Sequence, residues 1–220
     1  MTTLCTAESS PLRGPSHCRT VHTGSPAGLL THRPTRTGHE STNHSLNQIV
    51  LDDRSRQWQH HGVVPLRIIR GDATSPQAKG PKIIAHICND LGGWGKGFVL
   101  AVSRRWPEPE RAYRQWHRER SGNDFGLGAT QLVQVRPDTW VANMVSQRGI
   151  RSGSGGPPIR YDAVERCLHA VAEHAAQLTA TVHMPRIGCG LAGGRWDRIE
   201  PLVIATLCDR DIGTTVYDHE

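Results

Sequence analysis

Four glycines fall in the six positions from Gly92 to Gly97 of the stretch HICNDLGGWGKG, right after an apolar run at 83–88 and before an apolar segment, 98–102, placed to open a helix. Glycine takes positive φ and has no Cβ, so successive backbone N–H groups can converge on a phosphate, and the start of the next helix adds its dipole. A second cluster, Gly188, Gly190, Gly193 and Gly194 in RIGCGLAGGRW, repeats the setting of strand before and helix after. Two such loops can face each other across one ligand.

How much of the chain can fold around those loops is a question of composition. Of 220 residues, 36% are hydrophobic, low for a chain folded throughout, and the deficit is local. Residues 1–61 are dense in Thr, Ser, Pro, His, Gly and Arg and show no sustained period of 2 or 3.6. They cannot bury enough surface to offset chain entropy and are expected to form a disordered, low-complexity tail. Residues 62–220 are long enough for one core that hides most of its apolar surface.

The net charge is +6 with no block of like charge, which reads as a mildly basic solvated surface, a sign that also suits a phosphate-bearing ligand. The opening residues hold no apolar signal core, and no run approaches 18 apolar residues, so the expectation is a soluble cytoplasmic protein with no membrane partner. Six cysteines, at 5, 18, 88, 167, 189 and 208, show no C-x-x-C spacing. Free thiols are expected, with no zinc or other metal.

Along the folded part, 65–70 and 83–88 read as strands, the second buried on both faces, and 108–120 as a charged helix after Pro107. Segments 128–135 and 139–146 are two strands around the turn Arg136, Pro137, Asp138. From Tyr161, the residues Val164, Cys167, Leu168, Val171, Ala172, Ala175 and Leu178 recur at helical spacing. Segment 181–185 is a strand, 196–209 a helix and 213–217 a last strand. Alternating strands and helices with one hairpin predict an α/β fold, a mixed central sheet covered by helices on both faces.

The ordered series GDAT, AHICNDLGGWGKG, NMVSQR, VHMPRIGCGLAGGRW and TVYD resembles a macro domain, the three-layer α/β/α module that binds ADP-ribose. Within it, the series is similar to the branch that holds a chromatin-remodeller module, a terminal ADP-ribose glycohydrolase and a yeast ADP-ribose 1''-phosphate phosphatase. The resemblance implies that Asp72 accepts a hydrogen bond from the adenine amino group, with the Ala73 N–H beside it. A carboxylate can read that exocyclic donor, whereas guanine presents an acceptor there; taken without the rest of the series, Asp72 reads as the cap of its own turn. Gly93, Trp94, Gly95, Gly97 and Phe98 are then implied on one side of the pyrophosphate. Pro185, Ile187, Gly188, Cys189, Gly190, Leu191 and Ala192 are implied on the other, with Asn89 near the distal ribose.

The same resemblance bears on turnover. The glycohydrolase's lysine is replaced by Gln147 and the aspartate after its GCGL by Ala192, and a glutamine neither forms a Schiff base nor carries a proton at neutral pH. His86 coincides with a histidine of the phosphatase's HSCN motif, which suggests a general acid or nucleophile; a buried strand histidine satisfied by the backbone is the alternative. Lys96 can neutralise a diphosphate, a 1''-phosphate or a carboxylate leaving group, or simply be a solvated loop lysine. Asp90 is a candidate base for an attacking water, against repulsion from the pyrophosphate. Cys189, between two glycines near a helix start, is a candidate for a lowered thiol pKa, against the alternative that its small size alone explains it. The expected function is hydrolysis of an ADP-ribose derivative, by removing ADP-ribose from acidic side chains or by cleaving ADP-ribose 1''-phosphate or O-acetyl-ADP-ribose. A non-catalytic reader of ADP-ribose is the alternative. No cofactor is expected; the partners are ADP-ribose or an ADP-ribosylated protein, direct nucleic-acid binding is not expected, and the chain is expected to be a monomer.

Overall fold

The computed structural model describes residues 64–153 and 156–218. The tail expected over 1–61, its boundary at 62, Cys5 and Cys18 lie outside the described residues. Six strands form one sheet in the order β1-β6-β5-β2-β4-β3, where β1 is Arg67–Arg70, β2 Lys82–Asn89, β3 Thr130–Arg136, β4 Thr139–Gln147, β5 Thr181–Pro185 and β6 Thr214–Asp218. All neighbours are parallel except β3 and β4, the expected hairpin.

The helices are α1 Phe98–Arg105, α2 Glu108–Arg118, α3 Tyr161–Leu178 and α4 Trp196–Thr206. The central strand β2, KIIAHICN, is buried almost throughout because both its faces are covered. Alternation sends Ile84 and Cys88 to one side, with Val99, Val102, Tyr113 and Trp116 of α1 and α2. Ile83 and Ala85 face the other, against Val164, Leu168 and Val171 of α3 and Ile199 and Val203 of α4. This is the expected three-layer arrangement. Hiding each of Val164, Leu168 and Val171 from water contributes about 1.5 to 3 kcal/mol, which holds α3 to the sheet.

Two helix ends differ from the periodic pattern. Helix α2 stops at Arg118 and a 3-10 turn, Arg120–Gly122, follows; α4 stops at Thr206 rather than running to 209, and the 3-10 turn Cys208–Arg210 takes its place. Asp211, at φ 59, closes that turn in the left-handed region, where an α-helix cannot continue. Apolar periodicity marks which residues face the core but does not distinguish a last α turn from a tighter one.

Candidate functional site

In a parallel sheet, the carboxyl ends of the strands lead into loops that ring a crevice. Here β2 and β5 are neighbours, so both glycine clusters emerge side by side. Between them run two contiguous cavities of about 600 and 270 Å3, joined through Ile87, Lys96, Val99, Gln147 and Leu191, which line both.

The loop after β2 is tied by its own side chains. Asn89 Oδ1 accepts from the N–H groups of Leu91 and Gly93, both at 3.0 Å, and its Nδ2 donates to the Gly93 carbonyl at 2.6 Å. Tyr113 of α2 donates to the Asn89 carbonyl, and Arg114 donates to the Trp94 carbonyl at 3.2 Å. Trp94 is buried, its indole N–H bonded to Ser103 Oγ at 2.7 Å. Gly97 at φ 80 then turns the chain into α1. Across the groove, Gly188 needs both its φ of 71 and its missing side chain, because a Cβ would stand 2.8 to 3.1 Å from Ile159, Ile199 and Ile87.

Gly95 and Gly190 differ. Neither backbone lies in the left-handed region, and a Cβ on either would meet nothing within 4 Å. Packing does not account for these two glycines; each lines a cavity with open space where a Cβ would stand. Among the described residues, the charged ones lining the cavities are Lys96, Arg114, Arg151 and Arg186, all cations. Glu110 pairs with Arg114, and Asp218 holds Arg186 through two contacts of 2.5 and 2.9 Å. The lining suits an anion.

The structure brings His86, Asn89, Gly93, Trp94, Gly95, Lys96, Gly97, Phe98, Pro185, Ile187, Gly188, Gly190, Leu191 and Ala192 to the two cavities. Asp72, Ala73, Asp90 and Cys189 lie outside their lining. The Asp72 carboxylate accepts from the Thr74 N–H and hydroxyl, each at 2.8 Å, so it does cap its own turn. Asp90 Oδ1 accepts the Gly149 N–H at 2.7 Å, tying the β2 loop to the segment after β4. For Cys189 the expected lowering of the thiol pKa is reversed: burial pushes it up, outweighing the pull of Arg186.

His86 is buried, with Nε2 2.7 Å from Asn143 Oδ1 of β4 and its ring 5.2 Å from that of Trp94, edge to face. Burial lowers its pKa to about 4, against smaller opposing contributions from Asn143 and the Ile87 backbone. The imidazole is therefore neutral at pH 7. The cavities are also lined by Cys88, Arg114, Ile150 and Arg151, which the glycine motifs do not point to. Only Cys88 carried a signal in the sequence, lying two positions from His86 on a strand and so on the same face.

No family model matches the chain. Chromodomain-helicase-DNA-binding protein 1-like from Danio rerio is 33% identical over 165 residues, which is 69% of this chain and 15% of that protein. The chain thus spans about 15% of the length of that curated relative. ADP-ribose 1''-phosphate phosphatase from Lodderomyces elongisporus is 25% identical over 166 residues, 70% of this chain and 99% of the relative. Among solved structures, a protein from Bacteroides thetaiotaomicron is 53% identical with a TM-score of 0.69, covering 71% of this chain and 99% of that one. A macrodomain protein from Streptomyces coelicolor is 60% identical, with a TM-score of 0.65, over 71% of this chain and 100% of its own. With that identity over the whole of a macrodomain protein, the chain belongs to the macrodomain family.

Proposed function

We propose that the groove binds the ADP-ribose part of a larger molecule and that the protein hydrolyses the bond joining ADP-ribose to its substituent. The observation that carries this reading is the pair of unexplained glycines, Gly95 and Gly190, on opposite loops of a groove whose charged lining, among the described residues, is cationic. A diphosphate fits between such loops, accepting from backbone N–H groups and balanced by Lys96. The larger cavity then takes the distal ribose and its substituent. Adenine lies toward Asp72 and Ala73, which follow β1, two places from β5 in the sheet and about 10 Å away at ordinary strand spacing. Hydrolysis draws support from the relatives named ADP-ribose 1''-phosphate phosphatase.

Calorimetry with ADP-ribose tests the binding; the absence of heat would sink it. Turnover is followed by chromatography with ADP-ribose 1''-phosphate, O-acetyl-ADP-ribose and a glutamate-ADP-ribosylated protein, and release of ADP-ribose from any of them supports a hydrolase. A second reading, a non-catalytic reader, is favoured by one specific observation: among the described residues no carboxylate lines either cavity, and Gln147 lies where both meet. Tight binding with no turnover of the three substrates would establish that reading instead.

A further inference from the structure

Cys88 is among the residues that line the larger cavity and is the one cysteine among the described residues to line either cavity. Its Sγ stands 3.8 Å from His86 Nδ1. On the far side of the ring, Nε2 meets Asn143 Oδ1. The Asn143 amide cannot be turned round without loss, because its Nδ2 donates to the Pro109 carbonyl and to Gln131 Oε1, both at 3.1 Å. An oxygen therefore faces Nε2, which places the ring proton on Nε2 and leaves the Nδ1 lone pair toward the thiol. Thiol, imidazole and amide oxygen thus lie in series, the order of a nucleophile, its base and the group that orients the base.

Resting on the reading that the groove takes an ADP-ribose derivative, we propose that Cys88 is the nucleophile for acyl esters of ADP-ribose, with His86 carrying the proton. Sγ attacks the acyl carbon while its proton passes to Nδ1. The bond between the acyl carbon and the ribose oxygen then breaks, and that oxygen takes the proton from Nδ1 and leaves as a ribose hydroxyl. A thioester on Cys88 remains. Water adds to the thioester carbon with its proton moving through Nδ1 to the departing sulfur, which restores the thiol and frees the carboxylic acid. Atoms and charge balance with water as the only co-reactant.

Burial raises the thiol pKa and lowers that of the imidazole, so both groups rest neutral and the proton moves as the sulfur–carbon bond forms. His86 also lines the smaller cavity. A diphosphate bound there brings negative charge to the ring and raises its basicity when substrate is present. Asn143 is the positioning residue. The proposal also answers why a groove without lysine at 147 or aspartate at 192 could still turn over one class of substrate.

The test uses O-acetyl-ADP-ribose and the full chain. Cys88→Ala is expected to lower its turnover roughly a hundredfold or more, while ADP-ribose affinity changes by less than about threefold. His86→Gln and Asn143→Ala should lower kcat with KM unchanged. Should Cys88→Ala fail to fold, alkylation of the wild type with iodoacetamide decides: turnover lost in step with labelling of Cys88, with saturating ADP-ribose protecting both, supports the proposal. Turnover that survives either change, or a wild type that leaves O-acetyl-ADP-ribose intact, overturns it. Calorimetry with ADP-ribose on the same samples separates that failure from failure of the binding itself.

Discussion

Asp90 and Gly149, far apart in sequence, are joined by a 2.7 Å hydrogen bond from the Gly149 N–H to the Asp90 carboxylate. The Asp90 N–H in turn donates to the Gln147 carbonyl at 2.9 Å, so the loop that follows β2 is held to the segment that follows β4 through both the main chain and the side chain of one residue.

That strap separates a structural carboxylate from a catalytic one. Asp90→Ala should destabilise the fold by about 1 to 3 kcal/mol, the range for losing a partly buried hydrogen bond to a charged group. Asp90→Asn, which keeps an oxygen in place, should recover most of that stability and retain turnover. Thermal melts and kcat on both variants check it; a kcat lost in Asp90→Asn with the melt intact would make Asp90 the base.

The glycines of the two loops should fall into two groups. Gly95→Glu puts bulk and negative charge into open groove space and should abolish ADP-ribose binding while leaving the melting temperature nearly unchanged. Gly188→Val meets Ile159, Ile199 and Ile87 at positive φ and should unfold the protein partly or wholly, a cost of several kcal/mol. Calorimetry and thermal melts distinguish the two outcomes, and equal loss of stability in both variants would contradict the assignment of Gly95 to the ligand.

At the adenine end, Asp72→Ala should weaken ADP-ribose binding by about 1.5 to 3 kcal/mol, the scale of a charged hydrogen bond. It also removes the acceptor for the Thr74 N–H and hydroxyl. Asp72→Ser can still cap the turn but cannot hold the adenine amino group as a carboxylate does. An unchanged calorimetric affinity in both variants would leave Asp72 with the turn alone.

Two buried histidines set an acid limit. His86 and His183 each have a pKa lowered to about 4 from an ordinary 6.5, first by burial and, for His183, further by Lys82 and Arg67. Because the folded value is the lower one, their contribution to stability is full above pH 6.5 and is lost as pH falls toward 4. Each should cost about 1.4 kcal/mol per pH unit in that window. Denaturant midpoints between pH 6.5 and 4.5 measure it, and a flat profile would count against both burial assignments.

The glycine loops are legible in the sequence because each lies where an apolar strand gives way to a helix, and local pattern alone marks that junction. The His86 environment is not, because it is assembled from Asn143 on β4 and Pro109 in the first turn of α2. Nothing in NMVSQR announces that β4 will lie against β2 rather than elsewhere in the sheet. Arg114 is hidden for the same reason, on a helix whose charged positions look alike until one of them reaches the Trp94 carbonyl. Cys88 shares a face with His86 by simple alternation, yet its apolar run makes it look like core, which it also is. Asp72 shows the limit of motif reasoning: the residue stands where the pattern requires, and its carboxylate is already engaged by Thr74.

The sheet order has a consequence for biogenesis. Strand β6 lies between β1 and β5, so β1 has no neighbour to pair with until Thr214–Asp218 has been made. On the ribosome, the part of the sheet that carries both glycine loops can zip together first, whereas the strand leading to Asp72 must wait unpaired until β6 has followed it. The end of the groove assigned to the base is therefore the last part of the sheet to take shape.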